Sequence, residues 1–278
     1  MTPKDKARHN STSLTAVEGK GGRETTTTSS SSAEPGGTAL YDAINRDGYM
    51  TILGFGSLLS EKSSRLTFPD LKNFRLARVP NYKRVFGHPT GLFFRRGIAN
   101  METLEMSSLC VEYEKDYPGI IAAAFEVSTE NMMEDGVPSQ EFLEREEEFN
   151  IIQVPYINFE CDRESTAETK FSVGVICTRS TDEAFLKRWG EERFNEHFRK
   201  YGIETIWGWT PDSGLRPCAI YMRHCYLAAK SLGEACFNSF LDDTYLVDRI
   251  TTIRQYVQQY PEVLDVRPPA ELVNRYSG

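Results

Sequence analysis

From Tyr49 to Cys177 the chain is a succession of short apolar runs, rich in β-branched and aromatic residues and separated by turn signals. The stretches Tyr49–Leu53, Arg75–Val79, Tyr82–Phe86, Ser108–Tyr113, Gly119–Val127, Ile151–Tyr156 and Phe171–Cys177 predict strands or strand pieces. Pro80-Asn81 reads as a turn, and Asp116-Tyr117-Pro118-Gly119 reads as the turn of a hairpin. Ser139–Glu148 has helical composition, with Ser139 as its cap. Beyond Cys177 the pattern turns helical, over Asp182–Tyr201, Arg223–Leu232, Glu234–Phe240 and Thr244–Tyr260. Five or six strands followed by helices predict one α+β domain with a curved or closed sheet and a helical C-terminal extension over about residues 182–265.

The first 40 of 278 residues contrast with this pattern. Thr25 to Thr28 and Ser29 to Ser32 run into Pro35-Gly36-Gly37, with few large apolar side chains to offset the entropy of ordering. A disordered tail is expected there, and one domain over residues 41–278. The tail's Ser, Thr and basic residues faintly suggest an organelle transit peptide, but Asp5, Glu18, Glu24 and Glu34 weigh against it. The expected compartment is the cytoplasm, with a plastid or other organelle as the alternative.

A formal net charge of −8 opposes general nucleic-acid binding. The local basic group Arg75, Arg78, Lys83 and Arg84 reads as the solvated face of a strand. No apolar run reaches membrane-spanning length, so no membrane association is expected. The 6 cysteines form no CxxC pair and read as buried thiols. His9, His88, His197 and His224 are scattered, and Cys218, His224 and Cys225 fit a core role better than a zinc site. Neither metal nor organic cofactor is expected.

Two segments carry candidate chemistry. The first is the loop Gly54-Phe55-Gly56-Ser57-Leu58-Leu59, opening directly from the Tyr49–Leu53 run. Glycines let other atoms approach the main chain, and successive exposed N–H groups form a cup suited to an anion or oxyanion. The loop lacks the third glycine of a dinucleotide fingerprint, the Gly-Lys-Ser/Thr of a P-loop and the flanking glycines of a nucleophile elbow, so Ser57 is a poor nucleophile. A purely structural tight turn accounts for the loop about equally well. The second segment is Phe142-Leu143-Glu144-Arg145-Glu146-Glu147-Glu148-Phe149. Such a run is usually a solvated helix face. Glu146, next to Arg145 and bracketed by apolar residues, is the candidate acid/base, because apolar walls raise a carboxylate's proton affinity.

Together these segments resemble the γ-glutamylcyclotransferases, including their ChaC-like branch. Ile52 to Leu58 resembles the family's Tyr-Gly-Ser-Leu signature, with Phe55 in the tyrosine place. Ala77 to Phe86 is similar to a Pro-Gly-aromatic-Arg-Arg-Phe block, with Asn81 for glycine. Phe142-Leu143-Glu144-Arg145-Glu146 resembles Tyr-Leu-Asp-x-Arg-Glu, one residue short, so that Glu147 is the alternative to Glu146. The resemblance covers about residues 49–156 and implies a small mixed β-barrel of five to six strands with flanking helices, and conversion of a γ-glutamyl compound, such as glutathione or a γ-glutamyl amine, to 5-oxoproline and a released amine. It implies Glu146 as the acid/base, and Phe55, Gly56, Ser57 and Leu58 as main-chain donors to the substrate. The rival expectations are a catalytically inactive barrel that binds a small acidic ligand or a protein partner and, more weakly, a metal-dependent hydrolase.

Overall fold

The computed structural model describes residues 40–130, 132–159 and 170–278. Of the expected tail only Leu40 is described, and it is a correction: it is buried, and its N–H donates to the Gly136 carbonyl at 2.8 Å; residues 1–39 and Cys161 lie outside the described residues. Eleven strands follow in order: β1 (Tyr49–Gly54), β2 (Lys72–Val79), β3 (Tyr82–Pro89), β4 (Glu105–Tyr113), β5 (Ile120–Ser128), β6 (Met133–Glu134), β7 (Val137–Pro138), β8 (Asn150–Asn158), β9 (Ser172–Thr178), β10 (Arg216–Pro217) and β11 (Thr244–Tyr245). The main sheet runs β1-β5-β2-β8-β9 and closes on itself where Ile52 of β1 meets Val175 of β9 in parallel. The other pairings within this five-stranded ring are antiparallel. From β9 the sheet continues outward through β4, β3 and β11. This is an α+β fold built on a closed five-stranded barrel.

Closure explains the composition of β5. Its Ala122, Ala123 and Ala124 are fully buried, because the strand is covered on both faces, and their small side chains leave room for the larger residues packed around them. Seven helices are described: α1 (Glu61–Thr67), α2 (Gly91–Arg95), α3 (Gln140–Arg145), α4 (Asp182–His197), α5 (Ala219–Ser231), α6 (Glu234–Asp242) and α7 (Ile253–Gln259). One apolar core joins the barrel to α5, α6 and α7 through Leu53, Leu109, Ala123, Met222, Phe240 and Tyr256. Among the described residues no helix is long and apolar enough to cross a membrane.

Several local expectations are corrected. The Asp116–Gly119 turn joins strands that do not pair, since β4 lies beside β3 while β5 lies between β1 and β2. The turn instead docks on the Pro80-Asn81 turn: Asn81 N donates to Tyr117 O at 3.0 Å, and Glu114 N donates to Asn81 O at 2.8 Å. Gly119 has φ +97° and sits so close to the Val79 carbonyl that a Cβ would fall 2.3 Å from it. The expected helix over Thr244–Tyr260 forms only from Ile253, where Thr252 and Gln255 make a reciprocal cap. Its first half is taken by β11 and by a turn in which Asp248 accepts from the amides of Ile250 and Thr251. Arg84 is not on a solvated face. It is fully buried, and its guanidinium donates to the carbonyls of Phe55, Ile121 and Ser239. Arg75 and Lys83 of the same basic group pair with Glu126 and Glu114.

Candidate active site

The Gly54–Leu59 loop leaves the barrel at the end of β1 and forms a short 3₁₀ turn, Ser57–Leu59, before Ser60 caps α1. Space, rather than a positive φ, requires its glycines. A Cβ on Gly54 would stand 2.5 Å from the Leu58 Cβ, and one on Gly56 would stand 2.5 Å from the Tyr221 hydroxyl oxygen. The loop is held from behind by Arg84, whose Nε donates to the Phe55 carbonyl at 2.9 Å. In a trans peptide the C=O and the next N–H point in opposite directions. Anchoring the Phe55 carbonyl toward Arg84 therefore turns the Gly56 N–H the other way, and no acceptor takes that N–H among the described residues.

The acidic segment meets this loop because α3 stops at Arg145. Glu146 caps the helix with φ −110° and ψ 38°, and the chain turns at once into β8. The expected helix over Ser139–Glu148 would have spread the three glutamates around its circumference. In the turn they alternate sides instead. Glu146 and Glu148 line one cavity of about 190 Å³, together with Gly54, Phe55, Gly56, Ser57 and Leu58. Glu147 faces the opposite way, where its carboxylate meets Arg193 Nε at 2.7 Å and His197 Nδ1 at 2.7 Å, both on α4. Glu147, the alternative in the shortened register, is thus committed to an ion pair outside this cavity. Glu144 is exposed.

The two cavity glutamates differ in their surroundings. Glu146 is partly buried, with Arg145 Nε 3.5 Å from its carboxylate and Arg145 itself stacked over Phe68. Burial pushes its pKa up, while Arg145 works in the opposite direction. Glu148 is 6% exposed and accepts a hydrogen bond of 2.5 Å from the Thr90 hydroxyl. Burial, followed by repulsion from Glu147, pushes its pKa up to about 7.

The rest of the cavity wall comes from parts of the chain that sequence reasoning did not connect with the site. Tyr221 of α5 sets its hydroxyl against Gly56, and burial pushes that phenol well above its ordinary pKa. Arg96, just past α2, and Arg275, near the C-terminal end, stand on the cavity's outer side, where both are only partly buried. Arg96 donates to the Tyr276 hydroxyl at 2.5 Å and Arg275 donates to the Thr67 hydroxyl at 3.3 Å. Burial and the neighbouring Arg96 both lower the pKa of Arg275. Among the described residues neither guanidinium has a carboxylate within 4.0 Å. The i, i+2 spacing of Glu146 and Glu148 across a helix stop was the one sequence signal for Glu148. Nothing local marked Tyr221 or Arg275.

Cys218, His224 and Cys225 are buried in the α5 packing, and His224 Nδ1 accepts from Gly278 N at 2.9 Å. Among the described residues no group of three or more His, Cys, Asp or Glu side chains is placed to hold a metal ion. The described cysteines are unpaired.

The sequence matches no protein-family model and no curated protein. Among solved structures it is similar to one named gamma-glutamyl cyclotransferase, at 12% identity and a TM-score of 0.40, over 80% of this chain and 90% of that chain. It is also similar to an uncharacterized protein from Homo sapiens, at 12% identity and a TM-score of 0.41, over the same shares of the two chains. At that level of likeness the reading of the site rests on the chain's own geometry.

Proposed function

We propose that this protein is a cyclotransferase that converts a γ-glutamyl compound to 5-oxoproline and a free amine. The observation that carries this reading is the single compact cavity shared by an unpaired main-chain N–H of the Gly54–Leu58 loop and two carboxylates with raised proton affinity. The reaction joins the substrate's own α-nitrogen to its γ-carbonyl, so the enzyme gains chiefly by holding the folded-back conformer. Glu146 acts as the acid/base, taking a proton from the attacking ammonium and returning one to the leaving nitrogen. The amides of Phe55, Gly56, Ser57 and Leu58 receive the substrate carboxylate or the oxyanion that forms at the γ-carbon. Arg96 and Arg275, on the outer side, face the leaving portion and suit one that bears a carboxylate, as in glutathione.

The test is release of 5-oxoproline from a panel of γ-glutamyl amino acids, peptides and amines, including glutathione. Glu146→Gln keeps the side chain's shape and removes its basicity, and it is expected to lower kcat by about 100-fold or more. Equal release by this variant and the parent protein would remove Glu146 from the assignment. Binding of γ-glutamyl compounds without any turnover would favour a ligand-binding barrel instead.

A further inference from the structure

Cyclisation moves two protons. The attacking nitrogen begins as an ammonium and ends as a lactam N–H, so it sheds two protons beyond the one it keeps. The leaving amide nitrogen already bears one hydrogen. It takes one proton to depart as an amine and a second to become an ammonium. The bond made is the α-nitrogen to the γ-carbon, the bond broken is the γ-carbon to the leaving nitrogen, and no electrons enter or leave. A lone carboxylate must therefore shuttle twice in each turnover.

The cavity offers a second carboxylate with the burial and placement for this. Glu148 is 94% removed from solvent, taking its 6% exposure as the remainder, and it lines the same cavity as Glu146 and Gly56. One of its oxygens accepts from Thr90, and the carboxyl also takes its own main-chain N–H. Among the described residues no cation pairs with it, whereas adjacent Glu147, equally buried, has both Arg193 and His197. A buried carboxylate without a cation is costly unless it holds a proton or a ligand supplies the positive charge.

We infer that Glu148 is a further catalytic residue, which receives the substrate's α-ammonium and carries one of the two protons while Glu146 carries the other. This rests on the cyclotransferase reading. The substrate ammonium supplies the missing cation, and Thr90, which lines the same cavity, holds the carboxyl at its wall. The charged and titratable groups around it are Glu146 and Arg145 at the end of α3, Arg96 beyond α2 and Cys177 in β9. From the C-terminal half come Tyr221, Arg275 and Tyr276, and behind it in the chain stands Glu147. The Thr90 hydrogen bond favours the ionised form of Glu148, and so does the bond from its own main-chain amide, while Glu147 and Glu146 oppose it.

Two variants and one ligand pair test the inference. Glu148→Gln is expected to lower kcat by about 100-fold or more and to erase the limb near pH 7 in the kcat/KM profile. Thr90→Val is expected to shift that limb to higher pH, because the carboxylate loses its donor, whereas Thr90→Ser leaves it in place. Independently of turnover, calorimetry compares γ-glutamylmethylamide with glutaric acid monomethylamide, which lacks the amine. The parent protein is expected to favour the amine-bearing ligand at least 10-fold, and Glu148→Gln to abolish that preference. Activity within 3-fold of the parent with an unchanged pH profile, or an equal ligand preference in the variant, overturns the role of Glu148. An amine preference that depends on Glu148 without any 5-oxoproline release leaves the ammonium site standing and removes the cyclisation reading.

Discussion

Glu147 and Glu148 are neighbours in sequence and equally buried, at 5% and 6% exposure, yet the protein treats their charges in opposite ways. On the α4 side, Glu147 receives a guanidinium and an imidazole at 2.7 Å each. On the cavity side, Glu148 receives one threonine hydroxyl and open space. The first arrangement neutralises a charge and fastens α4 to the turn after α3. The second leaves a carboxyl poised between its two protonation states, which is of little use to stability and well suited to proton transfer. Burial alone therefore does not distinguish the two neighbours; the lack of a compensating cation, at a cavity wall, sets Glu148 apart.

The largest effect that could break this contrast is on the paired side. Glu147→Ala leaves Arg193 and His197 facing a buried gap. It is expected to cost about 3–5 kcal/mol of stability in chemical denaturation. Activity per folded molecule at the optimum pH should remain close to that of the parent, with the Glu148 limb moved to lower pH as the repulsion from Glu147 is lost, and a loss confined to activity would reverse the roles assigned to the two neighbours.

The cavity side should respond with the opposite sign. Folding raises the Glu148 pKa from its ordinary 4.5 to about 7, so the folded chain binds more protons than the unfolded chain between those values. Its contribution is fully present below pH 4.5 and is lost as the pH rises through 7. At pH 8 the ionised group costs about 3 kcal/mol. Glu148→Gln is thus expected to raise the melting temperature at pH 8 and to change it little at pH 4.5, where the parent is already neutral there. A lower melting temperature at pH 8 would show that Glu148 stabilises as Glu147 does. Such a gain in stability is the exchange expected of a group kept for the proposed reaction.

A smaller effect sharpens the picture of the loop opposite. Gly56→Ala drives a methyl group to within 2.5 Å of the Tyr221 hydroxyl and is expected to cost about 1–3 kcal/mol. Tyr221→Phe removes the obstructing oxygen, after which the nearest ring carbon lies at 3.6 Å, an ordinary contact. The double variant should therefore recover most of the lost stability, as read from the coupling in a double-mutant cycle. An additive result would mean that Gly56 is required for some reason other than the approach of α5.

Much of the barrel was legible because its signals are local. Strands such as Ile120–Ser128 and Asn150–Asn158 lie within a few residues of the runs that predicted them. The loop after β1 was equally visible, since glycines between apolar residues at a strand end mark a tight turn, whether structural or binding. Pairing was less legible. The Asp116–Gly119 turn has hairpin chemistry, but hydrogen-bonding partners are chosen by the closure of the whole sheet, which draws β5 to β1 and β4 to β3. Arg84 looked solvated because charge is normally excluded from cores. It is buried because three carbonyls, including that of Phe55, converge on it from segments distant in sequence.

By itself the sequence determined which segments become strands, that a glycine-punctuated turn follows β1, and that an acid near Glu146 was available. Those properties follow from periodicity and from backbone sterics, which act over a few residues. Only the tertiary structure decided which way each glutamate points, because that depends on α3 ending at Arg145 and on what packs against either side of the turn. It alone brought Thr90, Tyr221 and Arg275 to the cavity, since burial and electrostatic compensation are sums over neighbours in space.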